Sequence, residues 1–391
     1  MNAKAAKPQS LDMIKRLIAF DTTSRESNLE LIEFVRDYLD GLGVASRLVH
    51  DETGKKANLY ATLGPSDRAG IMLSGHTDVV PVDGQPWDTD PFHASESDGK
   101  LFGRGAADMK SFIAIVLTLA PEFLKRDLQV PIHLAFSYDE EVGCVGVRRL
   151  IEMLKGLDQR PYACIVGEPT GMKPVRAHKG QKRICCHVHG LEAHSALADR
   201  GVNAVEAAAE VIAHLKSMAR RLRDQGPHDS NFDPPYTTVH TGTIEGGTAL
   251  NIVPKACSFE FEFRYLPSDD PEALYREVLD YTERNILPEM QAVSDATGFS
   301  WEELSAIPEL EIDEDAELTQ LIKALTGANQ SVTVPFGTEA GLFQLADIPT
   351  IVCGPGGIDQ MHKPNEFIAL DQVAECEAFM HRLMDHLCAN A

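Results

Sequence analysis

Three short, largely apolar runs in this chain lack the alternation of a half-exposed strand, and each stops at side chains that can bind protons or metals. Residues 71–74 lead into Gly75, His76, Thr77 and Asp78; residues 132–137 lead into Tyr138, Asp139, Glu140 and Glu141; residues 163–166 lead into Gly167, Glu168 and Pro169. A strand that is apolar on both faces must be covered on both faces, which is the condition of a strand inside an α/β sheet. The segments between the runs agree. "SFIAIVLTLAPEFL" from Ser111 reads as a buried helix, and further strands are expected at 44–49 and 58–63. Ahead of them, Ser10 is expected to cap a helix carrying Leu11, Ile14, Leu17 and Ile18 on one face. A second helix with Ile32, Val35 and Leu39 stops at Gly41 and Gly43.

Near residue 180 the texture changes. "KRICCHVHG" alternates, a helix follows from 203 to about 218, then come strands "TVHTGTIEGG" and "ACSFEFEFRYL", a helix from Pro271 and a last alternating stretch "FSWEELSAI". The order β-α-β-β-α-β is the split βαβ pattern of a two-layer α+β domain. The α/β pattern then resumes with a helix over 314–325, a strand at 349–354 and a closing amphipathic helix over 371–387. The expected fold is therefore α/β, a central mixed sheet with helices on both faces, interrupted by a ferredoxin-like insertion. Residues 1–180 and 308–391 are expected to form the metal-binding domain, and 181–307 the inserted one. The polar, Pro-rich stretch 223–236 is expected to be a mobile loop.

Length and composition fit this reading. At 391 residues, with 43% hydrophobic and 24% charged residues, the chain has the make-up of a globular protein with room for two domains. Its 59 acidic against 36 basic residues give a net charge of -23, which repels nucleic acid and anionic membrane surfaces. The excess suits a cationic substrate or bound metal ions, although solubility alone accounts for it. Eight cysteines show no C-x-x-C pair, the pattern of reduced thiols in a cytoplasmic protein. The first twenty residues lack a signal-peptide core, and no run of about 18 apolar residues follows.

Ligands of open α/β sheets gather at the carboxyl ends of the strands, where His76, Glu140, Glu141 and Glu168 stand. "GRGAADMK" adds Asp108 just before a helix, on a loop whose Gly103 and Gly105 permit close approach. "GPGGIDQMHKPNEF" adds His362. Several carboxylates at one sheet edge raise one another's pKa values, and a cation is the natural resolution. Mixed imidazole and carboxylate donors suit zinc, with cobalt or manganese as alternatives, better than calcium. Five donors with one shared carboxylate would hold two ions about 3.5–4 Å apart. Read without that context, "DEE" at 139–141 is a solvated acidic turn, Arg264 with Glu260 and Glu262 a cross-strand ion-pair set, and His194 a surface histidine. His187 and His189 share a strand face with no third partner and are expected to be exposed sheet residues.

In this order, "SGHTDVVP", "WDTDPF", "GRGAADMK", "DEEVG", "GEPT", "EAHSA", "NIVP", "FEFR" and "HKPNEF" resemble the M20 metallopeptidases over nearly the whole chain. The resemblance implies that His76, Asp108 and Glu168 hold one divalent ion and that Asp108, Glu141 and His362 hold the other. It implies that Asp78 orients His76, that Glu140 is the general base, and that His194 stabilises the oxyanion in the active site of a second copy, making a homodimer the working unit. Asn251 and Arg264 match substrate-binding positions. The implied reaction is hydrolysis of a small N-acyl amino acid. "PFGTEAGLF" (335–343) points to N2-acetyl-L-ornithine, with acetylcitrulline and succinyl-diaminopimelate as alternatives. Thr338 and Glu339 are expected at the substrate, Glu339 facing the cationic side chain. Ser111 stands where the resemblance leads one to expect glycine, which bears on the helix start there. A non-catalytic relative would lack a ligand or the base, and none of the six is missing.

Overall fold

The computed structural model describes residues 6–389. The chain divides into two units. The first runs to Ala177 and resumes over Leu310–Val332 and from Thr338 onward, and the second comprises His178–Glu309 with Thr333–Gly337.

The first unit contains strands β1 (Ser46–His50), β2 (Ala57–Leu63), β3 (Ile71–His76), β4 (Ile132–Ser137), β5 (Ala163–Pro169), β6 (Val175–His178), β7 (Leu310–Glu311) and β8 (Thr350–Gly354), in the sheet order β1-β2-β4-β3-β5-β8-β6-β7. The sheet is mixed. β4, β3, β5 and β8 run parallel to one another, whereas β1 with β2, β2 with β4, and β8 with β6 are antiparallel. Every residue of β3, β4, β5 and β8 is buried, as expected for strands covered on both faces. On one face Leu59, Leu73, Leu134, Phe136 and Ile165 join a core formed with helices α1 (Pro8–Ile18), α2 (Leu29–Gly41) and α3 (Lys110–Lys125). Further along the chain come α4 (Val145–Lys155), α5 (Glu317–Thr326), α6 (Ala340–Leu345) and α7 (Leu370–Ala389), and α7 supplies Phe379, Leu383 and Leu387 to the same core.

Several expectations shift. Ser10 is not the cap of α1. Pro8, whose missing N–H costs nothing at a helix start, begins the helix after Lys7, and Ser10 lies buried one turn in. Ser111 leaves α3 intact, because its hydroxyl donates to the Ala106 carbonyl at 2.5 Å and ties the helix start to the preceding loop. The short helix α6, which begins within "PFGTEAGLF", has no counterpart in the sequence reading, since six residues carry too little periodicity.

In the second unit the strands Gly180–His189, Thr238–Gly246, Ala256–Tyr265 and Gly298–Ile307 alternate with helices Ala204–Gln225 and Pro271–Tyr281 in the order β-α-β-β-α-β. They form one antiparallel sheet. Alternate residues Ile184, Cys186 and Val188 with Phe259, Phe261 and Phe263 pack against Ala208, Val211 and Leu215 of the long helix. That helix, capped by Asn203 through the N–H groups of Val205 and Glu206, runs to Gln225 rather than 218. The stretch 223–236 is tied down instead of free: Phe232 is buried, and the Lys179 ammonium donates to the carbonyls of Pro234 and Tyr236. His187 faces Glu302 at 3.7 Å and His189 bonds Ser300 at 2.8 Å, both at the sheet surface.

Candidate metal centre

At the carboxyl end of β3, His76 is buried and its two ring nitrogens have different partners. Nε2 lies 2.9 Å from Asp108 Oδ1 and 3.5 Å from Glu168 Oε1 at the end of β5. Nδ1 lies 2.9 Å from the main-chain oxygen of Asp78 and 3.6 Å from its carboxylate. The carbonyl is thus the nearer group that would fix the His76 tautomer. The Asp78 carboxylate turns elsewhere: it accepts the N–H groups of Glu140 and Glu141 at 3.1 and 3.3 Å and the Ser24 hydroxyl at 2.7 Å. The residue expected to orient His76 therefore also fixes the turn that follows β4.

That turn begins with Asp139 at a φ of +54° and is anchored by Lys56, whose ammonium reaches the Asp139 carboxylate at 2.5 Å. It presents Glu141 to His362, with Oε2 3.0 Å from Nε2. The same His362 nitrogen lies 3.2 Å from Asp108 Oδ2. Asp108 consequently offers one oxygen to each histidine. It sits on the loop before α3, where Gly105 has a φ of +81° and a Cβ there would fall 2.9 Å from both Val79 and Lys110. The Asp108–Met109 peptide is cis.

His76, Asp108 and Glu168 bring one ligand atom each within 4.8 Å of one another, and so do Asp108, Glu141 and His362. The charge balance fits divalent cations. Burial, and after it the neighbouring Asp108, pushes Glu141 and Glu168 up to about 7. Asp108, which burial alone would raise, is held well below the usual carboxylate range by His362 and His76. His362 is raised to about 10 by its bonds to Asp108 and Glu141. Buried carboxylates crowded in this way repel one another, and oxygen and imidazole donors from opposite sides are the surroundings a borderline divalent ion takes. Beside them burial raises Glu140 well above its ordinary value, and the Cys144 thiol lies 3.3 Å from its Oε1.

The other expected site residues lie as follows. Thr338 is buried, its hydroxyl accepting the Ala340 N–H at 3.1 Å at the start of α6. Glu339, expected at the substrate, is fully buried, and its two oxygens accept the hydroxyls of Ser74 and Ser137 at 2.6 and 2.7 Å. In the second unit, Ser195 N–H donates to the Asn251 carbonyl at 3.0 Å, and His194 forms a strand bridge with Ile252, which makes His194 and Asn251 neighbours. Arg264 donates to Glu262 of its own strand at 3.1 Å, and Glu262 also accepts Arg183 of the adjacent strand at 3.3 Å, an ion-pair set across strands of the kind that was the alternative to a substrate role. Sequence reasoning missed Glu366 and Arg104, a buried pair at 2.7 Å beneath the Asp108 loop. The signals were Arg104's place in "GRGAADMK" and Glu366's place in "HKPNEF".

Donors of this chemistry at the carboxyl ends of the strands of an α/β sheet define a metal-dependent hydrolase. The chain belongs to peptidase family M20/M25/M40, whose model matches residues 72–386. It is 34% identical to an acetylornithine deacetylase of Pasteurella multocida, over 97% of this chain and 98% of that one, and 35% identical to an acetylornithine deacetylase of Myxococcus xanthus, over 96% of each. Its fold is that of an M20 family metallo-carboxypeptidase from Sulfolobus solfataricus (TM-score 0.75, 19% identity, 98% and 100% covered). It is also that of a dinuclear metal binding peptidase of the family from Bacillus subtilis (TM-score 0.64, 15% identity, 98% of each chain). Among the described residues no helix is long and apolar enough to cross a membrane.

Proposed function

We propose that this protein is a two-metal amidohydrolase that releases acetate from N2-acetyl-L-ornithine. The observation that carries the reading is the pair of three-residue donor groups sharing Asp108. The substrate rests on the full-length likeness to acetylornithine deacetylases, and acetylcitrulline and succinyl-diaminopimelate remain the rivals. His76, Asp108 and Glu168 would hold one ion and Asp108, Glu141 and His362 the other, as zinc, with cobalt or manganese able to replace it. When bound, such ions polarise the amide carbonyl and lower the pKa of water towards about 7.

The residues then divide the work. Glu140 follows Asp78-anchored backbone and adjoins the ligand Glu141, so its carboxylate can take a proton from the attacking water and return it to the leaving amine. Burial raises its affinity for that proton. Asn251 and Arg264 bind the substrate, Arg264 through its α-carboxylate, after exchanging its partner Glu262 for it. His194 supports the oxyanion in a second copy, which makes the enzyme a homodimer, and the setting is the cytoplasm.

The test is amine release by the zinc- or cobalt-loaded protein across N2-acetyl-L-ornithine, N-acetyl-L-citrulline, N-succinyl-diaminopimelate and neutral N-acetyl amino acids. The expected result is a kcat/KM for acetylornithine at least about tenfold above the rest, roughly 1.4 kcal/mol of transition-state discrimination. Another winner would overturn the substrate and leave the chemistry. Glu140→Ala should keep both metals and lose turnover by a factor of about 100 or more; metal loss would remove Glu140 from the role of base.

A further inference from the structure

Asp108 and His362 belong to loops more than 250 residues apart in sequence, and a single buried carboxylate joins those loops. Glu366 Oε1 accepts the backbone N–H groups of Ala107 and Asp108 at 2.8 and 3.0 Å. Its Oε2 accepts the N–H of Gly105 at 3.2 Å and the Arg104 guanidinium at 2.7 Å. Four donors meet the roughly four lone pairs that an ionised carboxylate offers. The Glu366 carbonyl takes a fifth bond from the same loop, the Gly103 N–H at 2.9 Å.

The rest of the surroundings extends this link. Arg104 is itself buried; its second amino group donates to Gln85 at 2.6 Å, and its guanidinium carbon lies 5.1 Å from the centre of the Trp87 ring. Gln85 in turn donates to the main-chain oxygen of His362 at 3.2 Å. Asn365 clasps Asp88 through two bonds of 2.9 Å. His362 and Asn365 both adopt positive φ, at +60° and +58°, and the bonds around them hold that backbone in place.

We propose that Glu366 is a positioning residue of the metal centre: it sets the distance between the shared ligand Asp108 and the ligand His362 by clamping the backbone of one loop to that of the other. Resting on the two-metal reading, the proposal adds a residue that touches neither an ion nor the substrate. Its geometry predicts which substitutions fail. In Glu366→Gln one oxygen becomes an amide NH2, which would face backbone N–H groups or the guanidinium, donor against donor. In Glu366→Asp the charge stays, but the arm is one methylene shorter and cannot span Gly105 and Asp108 together.

The experiment titrates the metal-free protein with Co2+ and follows the visible absorption bands and stoichiometry, beside the melting midpoint of the metal-free form. Wild type is expected to bind two ions. Glu366→Gln and Glu366→Asp are expected to bind at least one of them about tenfold to a hundredfold more weakly, with displaced absorption bands, a span typical when a residue behind a ligand is lost. Excess metal should restore part of the turnover. If the Gln variant does not yield folded protein, Glu366→Asp decides. Cobalt affinities and bands matching wild type in a folded variant overturn the proposal alone; failure of wild type to bind cobalt overturns the metal reading and the proposal with it.

Discussion

Glu339 offers the clearest contest between a substrate contact and an internal strut. Its carboxylate is fully buried between the Ser74 and Ser137 hydroxyls, at 2.6 and 2.7 Å, on strands that end in His76 and in the Glu140–Glu141 turn. Burial raises its pKa, with the two serines opposing that rise. Glu339→Ala removes both bonds and leaves a hole beneath the sheet. Losing bonds to two hydroxyls costs about 1–1.5 kcal/mol each, and the unfilled volume adds about 1, so the total is about 3–4 kcal/mol. For a unit of this size that lowers the melting midpoint by about 6 °C or more. Glu339→Gln keeps the volume, and because each serine can accept as well as donate, the amide can satisfy both at a cost of about 1 kcal/mol or less. If the strut is the whole role of Glu339, the ratio of kcat/KM between N2-acetyl-L-ornithine and a neutral N-acetyl amino acid should stay within about twofold of wild type in Glu339→Gln. Thermal unfolding and paired kinetics check both points, and Ser137→Ala should combine non-additively with Glu339→Ala because they share one bond. The reasoning is refuted if Glu339→Ala melts like wild type while the Gln variant loses its preference for the cationic substrate.

Metal affinity should rise with pH. Glu141 and Glu168 hold protons up to about 7 and His362 up to about 10, and each proton must leave before the atom can coordinate, so affinity should climb by more than one log unit per pH unit between about 6 and 8. Calorimetry in two buffers of different ionisation enthalpy should register proton release, and a flat profile would contradict the ligand set. At Gly167, just before Glu168, a Cβ would fall 2.1 Å from the Phe112 ring of α3. Gly167→Ala should therefore cost about 1–3 kcal/mol and weaken metal binding, read by urea unfolding and metal titration, because the displaced helix follows directly on the loop that carries Asp108. His133, buried against Tyr60, is depressed to about 4. Its unfolded value is about 6.5, so the unfolded chain takes up the proton first: this share of stability is complete above about 6.5 and fades as pH falls towards 4, a loss of about 3 kcal/mol. An assigned His133 NMR signal titrating near about 6.5 in the folded protein would contradict it.

What could be read from the sequence follows a physical division. A strand covered on both faces needs an unbroken apolar run, so β3, β4 and β5 announce themselves, and a donor placed straight after such a run has only the sheet edge to occupy. That logic reaches His76, Glu140, Glu141 and Glu168 directly, and reaches Asp108 through the glycines that a close-approaching loop requires. It does not reach Glu366 or Glu339. A lone acidic residue reads as exposed by default, because burying a charge is unfavourable unless donors surround it, and here the donors stand far away in the chain: the backbone of 105–108 for Glu366, and Ser74 and Ser137 for Glu339. The missing information was present from the other side. Ser74 and Ser137 each sit within a strand buried at every position, and a hydroxyl so placed must find an acceptor. In β4 next to β3, residue 137 lies opposite His76 and residue 135 opposite Ser74, which puts both hydroxyls on one face of the sheet. One acceptor can then serve both only if it is a forked group arriving from a distant segment. Two serines at the ends of adjacent buried runs, one of which also donates to the Ala135 carbonyl at 3.2 Å, can share one forked acceptor, and Glu339 meets both there.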